Sequence, residues 1–292
     1  MRINHNISSM ITQSSLYQVN QEMSKSLEKL STGLRINRAS DDAAGLGVSE
    51  NLRTQVNGTA QATKNAQDGI AALNVAEGAA NEVSAILQRM RELAVQSSND
   101  TLTSTERSYT NSEFQALSSE IDRIAQATNY NRQDLLSTAA GRFGMSTGAG
   151  AGSVLWVDAN NKVGIDSITI TIDTLTTGAI GIGTFGVAGA GNAQFLTDQA
   201  TSVKAISALD GAINSVNTMR SNMGAYVNRL EHAINNLNIS NTNQQSAESI
   251  IRDVDFASET SRYTRNQILT QSGTAMLAQA NAVPQSVLSL LK

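Results

Sequence analysis

Cysteine is absent from all 292 residues, which removes disulfides, thiolate nucleophiles, thiolate zinc sites and iron–sulfur clusters together. His5 and His232 are the only histidines, too few for a histidine-based metal centre or a general base with a partner. A single proline, Pro284, stands where an average chain would be roughly 5% proline, so long uninterrupted helices are open to this one. Aromatic residues make up 4% and charged residues 16%, the latter against roughly 25% in an ordinary soluble domain, so burial rests on small and aliphatic side chains. The net charge of −4 argues against a phosphate-binding surface, and nucleic acid is not expected as a partner. The opening MRINHNISSMITQ has neither a basic n-region nor a continuous apolar stretch, so the general secretory route is not expected.

What the chain does have is a heptad rhythm. One seam runs Ile206, Leu209, Ile213, Val216, Arg220, Met223, Val227, Leu230, Ile234 and Leu237, with Arg220 its one polar member. A second runs Ala62, Ala66, Leu73, Ala76, Ala80, Val83, Leu87, Met90 and Ala94, whose small residues allow close helix approach. A third, Phe114, Leu117, Ile121 and Ile124, follows Thr103 and Glu106 at capping-box spacing. Helices are expected over 3–33, 43–98, 105–128, 198–239 and 244–281, with a short piece after Pro284; Gly58, Gly69 and Gly78 are potential interruptions of the second. At 1.5 Å per residue the stretch 198–239 would span ~63 Å, which predicts a rod. Between Gly141 and Gln194 glycine-rich runs flank SITITIDTL, which alternates and puts Ile168, Ile170 and Ile172 on one strand face; Val154–Val163, turning at Ala159–Asn161, reads as an accompanying hairpin. The fold class is therefore mainly α: an elongated antiparallel helical bundle or coiled coil, terminal helices paired, with a small β-hairpin insert.

Isolated site signals dissolve on inspection. Gly181, Gly183 and Gly186 spell G-x-G-x-x-G, but no helix follows, so they read as loop. Asp41 and Asp42 precede a helix and read as caps. His232 lies outside the apolar seam and reads as a surface residue. The sequons at Asn57 and Asn99 are common by chance. No catalytic, metal or cofactor residue is assigned, and an enzyme is not expected.

The two ends behave differently. Residues 266–291 carry no charge, and from Ile3 to Gln21 only His5 could carry one, yet glutamines and asparagines keep the C-terminal run short of a membrane span. Burial of nine apolar side chains there (Ile268, Leu269, Met276, Leu277, Val283, Val287, Leu288, Leu290 and Leu291) falls short of the entropy of ordering the segment. Such ends call for many neighbours, which predicts polymerisation through the termini.

The segments MRINHNISSM, LSTGLRINRASDDAAGLGVSENLRTQVNG (30–58), QRMRELAVQSSND (88–100) and ILTQSGTAMLAQANAVPQSVLSLL (268–291) closely resemble bacterial flagellin, over residues 1–140 and 198–292. The resemblance implies a filament subunit for swimming motility. It implies a terminal core domain of 1–43 with 250–292, a helical rod of 44–140 with 195–249, and an insert, 141–194, too small for the outer domains of longer flagellins. Filament core contacts are then expected at Ile3, Ile7, Met10, Tyr17, Leu27, Leu269, Met276, Leu277, Val287 and Leu290. The implied partners are further copies of itself, an export chaperone on the C-terminal segment, a cap protein and hook-junction proteins. The implied location is the extracellular filament, periplasmic in a spirochaete. The resemblance also implies a Toll-like receptor patch at Gln88, Arg89, Leu93 and Glu113. The rival readings are a hook–filament junction protein and, from another class, a soluble coiled-coil adaptor.

Overall fold

A computed structural model describes residues 6–137, 153–160, 162, 165–182 and 196–290, with side chains as far as 282. Its helices are α1 (Ile7–Thr32), α2 (Ala43–Ser97), α3 (Ser104–Ala127), α4 (Gln199–Arg252) and α5 (Phe256–Leu290). Two short antiparallel pairs accompany them, β1 (Asn129–Tyr130) with β2 (Gln133–Asp134) and β3 (Ser153–Trp156) with β4 (Ser167–Ile170). The fold is mainly α with small antiparallel β elements, as expected. The chain divides into two compact units, residues 1–56 with 242–292 and residues 57–241.

In the second unit the heptad seams form the core. Ala66, Leu73, Ala76, Ala80, Val83, Leu87, Met90 and Ala94 of α2 are all buried, against Leu209, Val216, Met223 and Leu230 of α4 and Phe114 and Ile121 of α3. Arg220, the polar member of its seam, reaches Glu77 at 2.9 Å. Thr103 and Glu106 form the capping box that opens α3, the Thr103 hydroxyl accepting from the Glu106 N–H while the Glu106 carboxylate accepts from the Thr103 N–H at 2.8 Å. Gly58, Gly69 and Gly78 do not interrupt α2. At the first two, an added Cβ would meet Ala159 and Leu155, each at 2.5 Å, so these glycines let the β3–β4 segment lie close against the helix.

The expected local hairpin over Val154–Val163 is corrected by the register. Ser153 pairs with Ile170 and Trp156 with Ser167, so the turn is longer, and it closes where the Asp166 carbonyl accepts from the Val157 N–H at 2.9 Å. Ile168, Ile170 and Ile172 are indeed all buried. Asp122 of α3 holds the segment beyond, its carboxylate accepting from the N–H and the hydroxyl of Thr177, each at 2.8 Å. The β1–β2 hairpin was not foreseen, because its turn residues, Asn131 and Arg132, adopt positive φ without a glycine. Of the G-x-G-x-x-G positions only Gly181 is described, at φ +83 in a turn; Gly183 and Gly186 lie outside the described residues.

Two helix boundaries also differ from expectation. α4 does not break near 239–244 but runs to Arg252, since no glycine or proline lies between Ala225 and the end of the helix. The break comes at Asp253–Asp255, where Leu34 and Asp253 bridge the two chain crossings. α5 likewise continues through Pro284 to Leu290 instead of stopping before it.

Candidate assembly surface

α1 and α5 lie side by side in the first unit. Asn6 meets Ala280, Leu16 meets Gly273, and Lys25, Ser26 and Lys29 share a groove with Glu259, Arg262 and Asn266, so the two helices run antiparallel. Asn6 caps α1 by accepting from the Ser9 N–H. At the other end Gly33 adopts a left-handed conformation, φ +73, and ends the helix.

A clasp of main-chain and side-chain bonds ties the next segments together. The Arg35 N–H donates to the Arg252 carbonyl at 2.7 Å and the Val254 N–H to the Gly33 carbonyl at 3.0 Å. The Arg35 guanidinium donates to the Ile251 carbonyl, satisfying one of the orphan acceptors at the end of α4, and Arg252 pairs with Glu50 at 2.6 Å. The two aspartates divide their work. Asp42 accepts from the Gly45 N–H at 2.8 Å and opens α2, whereas Asp41 turns back to accept from the N–H groups of Arg38 and Asn37. The Arg38 N–H is the chief reason the Asp41 carboxyl lies below its ordinary pKa.

The seam of the α1–α5 pair is only partly apolar, with Leu16, Val19, Met23, Leu30, Tyr263 and Leu277 half-buried along it. Its most shielded side chains are polar: Ser26 at 5% exposure, Glu259 at 6% and Asn266 at 6%. Its large apolar side chains face outward, with Ile7 53%, Met10 62%, Tyr17 66%, Leu27 54%, Leu269 46% and Met276 60% exposed. Ile11, Phe256 and Ile268 join them, while Leu277 is half-buried. Ile3 lies outside the described residues, as do the side chains of Val287 and Leu290. No helix among the described residues is long and apolar enough to cross a membrane. Large apolar side chains exposed in this number are characteristic of surfaces that other proteins cover.

Of the four residues marked by the receptor resemblance, three share a surface. Gln88 is exposed, and Arg89 bonds Glu113 through two nitrogens at 2.9 and 3.0 Å and Glu92 at 3.0 Å. The Glu113 carboxylate is the main reason that the Arg89 guanidinium holds its proton more tightly than usual. Leu93 is only 1% exposed and belongs to the core under α3, so its side chain does not lie on that surface. His232 is exposed and Asn57 sits inside α2.

Comparison with known proteins decides what kind of assembly this is. Residues 3–140 match the bacterial flagellin N-terminal helical region and residues 206–291 the bacterial flagellin C-terminal helical region. The chain belongs to the flagellin family. It is 46% identical to the flagellar filament 33 kDa core protein of Treponema phagedenis and 44% identical to a flagellin of Halalkalibacterium halodurans, each alignment covering 100% of both chains. A putative flagellar hook-associated protein from Vibrio parahaemolyticus shares the fold, with a TM-score of 0.55 and 18% identity over 73% of this chain and 99% of that one. This flagellin is a structural subunit of the bacterial flagellar filament and part of the flagellum that drives motility.

Sequence reasoning found the outward apolar residues through the charge-free ends. It missed Asn6, Arg35, Glu259 and Asn266. Asn6 was within reach, since asparagine is a leading N-cap and a helical run follows it; nothing local marks Glu259 as shielded.

Proposed function

We propose that copies of this flagellin join through the outer face of the α1–α5 pair. Ile7, Met10, Tyr17, Leu27, Leu269, Met276 and Leu277, together with Ile3, Val287 and Leu290, are the contacts between subunits. The observation that carries this reading is the number of large apolar side chains left exposed on a pair whose most shielded positions are polar. Each such side chain, once covered by a neighbour, contributes about 1.5–3 kcal/mol, so a handful suffices to hold a subunit in a lattice. On this reading residues 1–43 with 250–292 form the filament's inner core, 44–140 with 195–249 the layer around it, and 141–194 the outermost insert.

The same charge-free segment, 266–291, is the surface an export chaperone would cover before assembly, and cap and hook-junction proteins would meet the filament at its two ends. The filament lies outside the cell, or in the periplasm if the source is a spirochaete. A Toll-like receptor contact is carried by Gln88, Arg89 and Glu113, with Leu93 supporting them from beneath.

Seeded filament growth tests the central reading. Met10→Glu with Met276→Glu is expected to stop elongation while leaving helix content and the melting of residues 57–241 unchanged. Elongation at the parental rate would refute it. Deleting 266–292 is expected to abolish co-purification with the export chaperone.

A further inference from the structure

The single proline of this chain stands at position 284, inside a helix that continues to Leu290. Proline has no N–H, so the carbonyl four residues earlier, that of Ala280, loses its helical donor. Pro284 is the only proline, so Ala280 is the only residue of α5 ahead of the last turn whose carbonyl is freed in this way. That carbonyl accepts at 2.8 Å from Nδ2 of Asn6, and the other end of the same amide, Oδ1, accepts at 3.1 Å from the Ser9 N–H and caps α1. We infer that Pro284 and Asn6 together set the register of the terminal helix pair: the proline opens one carbonyl, and the N-cap asparagine docks on it.

Along this stretch the bond is accompanied by half-buried packing, with Leu16 against Gly273, and by no ion pair. Residues 7–21 of α1 and 266–290 of α5 have no charged side chain, so no ion pair can form between them. Ile268, Leu269 and Met276 of α5 are exposed, and the apolar side chains on the shielded stripes, Leu16, Val19 and Met23 of α1 and Tyr263 and Leu277 of α5, are only half-buried, so apolar packing holds the alignment loosely. A slip by one heptad would displace one helix by about 10 Å and strand both the Asn6 donor and the Ala280 acceptor. Asparagine suits this place because it supplies an acceptor and a donor from one planar group; aspartate caps equally well but has nothing to donate. Which outward residues align for the neighbouring subunit follows from this register, a consequence that rests on the assembly reading above.

A double-mutant cycle tests the pairing, with amide hydrogen exchange read by mass spectrometry on assembled filaments. Asn6→Asp keeps the cap and removes the donor; Pro284→Ala restores an N–H for the Ala280 carbonyl. Asn6→Asp alone is expected to speed exchange in 8–16 and 274–282 by roughly three- to tenfold, the worth of one hydrogen bond, with helix content unchanged. In the Pro284→Ala background the same change is expected to have less than about a twofold effect, because the carbonyl is already occupied. An Asn6→Asp effect of equal size in both backgrounds, or none in the parent, would overturn the inference. Should Asn6→Asp leave the ends wholly unprotected, Asn6→Ser, which also caps, is read by the same rule. Coupling found in filaments that still grow with Met10→Glu and Met276→Glu would sink the assembly reading alone; growth lost in those variants without coupling in the cycle would sink this one alone.

Discussion

Glycines in α2 and α4 offer a test in which one substitution is expected to change sign along the helix. Replacing an exposed helical glycine with alanine stabilises by about 0.8–1 kcal/mol, because alanine loses less backbone entropy on folding. At Gly78 and Gly224 an added Cβ meets nothing within 4 Å, so Gly78→Ala and Gly224→Ala should each give that full gain. In a unit of this size it raises the melting midpoint by about 2–4 °C. At Gly69 the new Cβ would lie 2.5 Å from Cδ2 of Leu155, the far end of a side chain that can rotate, so a strain of about 1 kcal/mol cancels the gain and the net effect is near zero. At Gly58 it would lie 2.5 Å from Cβ and 3.2 Å from Cα of Ala159, atoms that move only with the backbone. The strain there is about 2–3 kcal/mol and the net loss about 1–2 kcal/mol. The assay is thermal unfolding by circular dichroism together with fluorescence of Trp156, the one tryptophan, whose carbonyl accepts from the Asn65 amide at 3.2 Å. Gly58→Ala should shift its emission to the red as the hairpin lifts from α2, and Gly78→Ala should leave the emission alone. Stabilisation by Gly58→Ala equal to that of Gly78→Ala, with unaltered emission, would refute the claim that these glycines serve close approach.

Three further outcomes are expected. Thr103 lowers the Glu106 pKa through its N–H and then its hydroxyl. A carboxyl depressed on folding stabilises above its unfolded pKa and loses that contribution as pH falls through the folded one, so the start of α3 should fray as pH falls below the ordinary glutamate range. Thr103→Ala should cost about 1 kcal/mol and move the Glu106 titration, followed by NMR, back up toward an ordinary glutamate. Leu93→Ala should cost about 2–5 kcal/mol in urea unfolding, as for any buried leucine, whereas Arg89→Ala, which breaks exposed pairs only, should leave the urea midpoint close to that of the parent. A receptor-reporter response lost in Arg89→Ala at unchanged stability would therefore speak for surface contact, while loss in Leu93→Ala would not.

How much could be read beforehand follows from how locally each feature is determined. The α2 and α4 seams were legible because a helix facing one long partner repeats its apolar residues every three and four positions. The burial of Leu93 was not legible from the α2 seam because α2 also packs against α3, which widens its buried face beyond a single seam. The end of α4 was misplaced because the break at Asp253 is made by a partner far away in sequence, Leu34, and by no local stop signal. The Asn129–Asp134 hairpin escaped because Asn131 and Arg132 take a turn conformation ordinarily announced by glycine. The exposed ends were legible as a lack of charge; the shielding of Glu259 and Asn266 was not, because it depends on where α1 lies.

That shielding gives the terminal helices a particular energetic character. An apolar interior would make the pair stable by itself and leave little for a neighbour to add. Here the three most shielded positions hold a serine, a carboxylate and an amide, whose burial gains little even when satisfied, and Leu16, Val19, Met23 and Leu277 between them are only half-buried. The area that would repay covering lies on the outside, on Met10, Tyr17, Ile268 and Met276. Stability is thus divided on the proposed assembly: residues 57–241 have their own apolar core, while the terminal pair would gain much of its stability from contact with other copies. On the register inference above, a pair so loosely packed is aligned in part by one specific hydrogen bond, from Asn6 to the carbonyl that Pro284 leaves open.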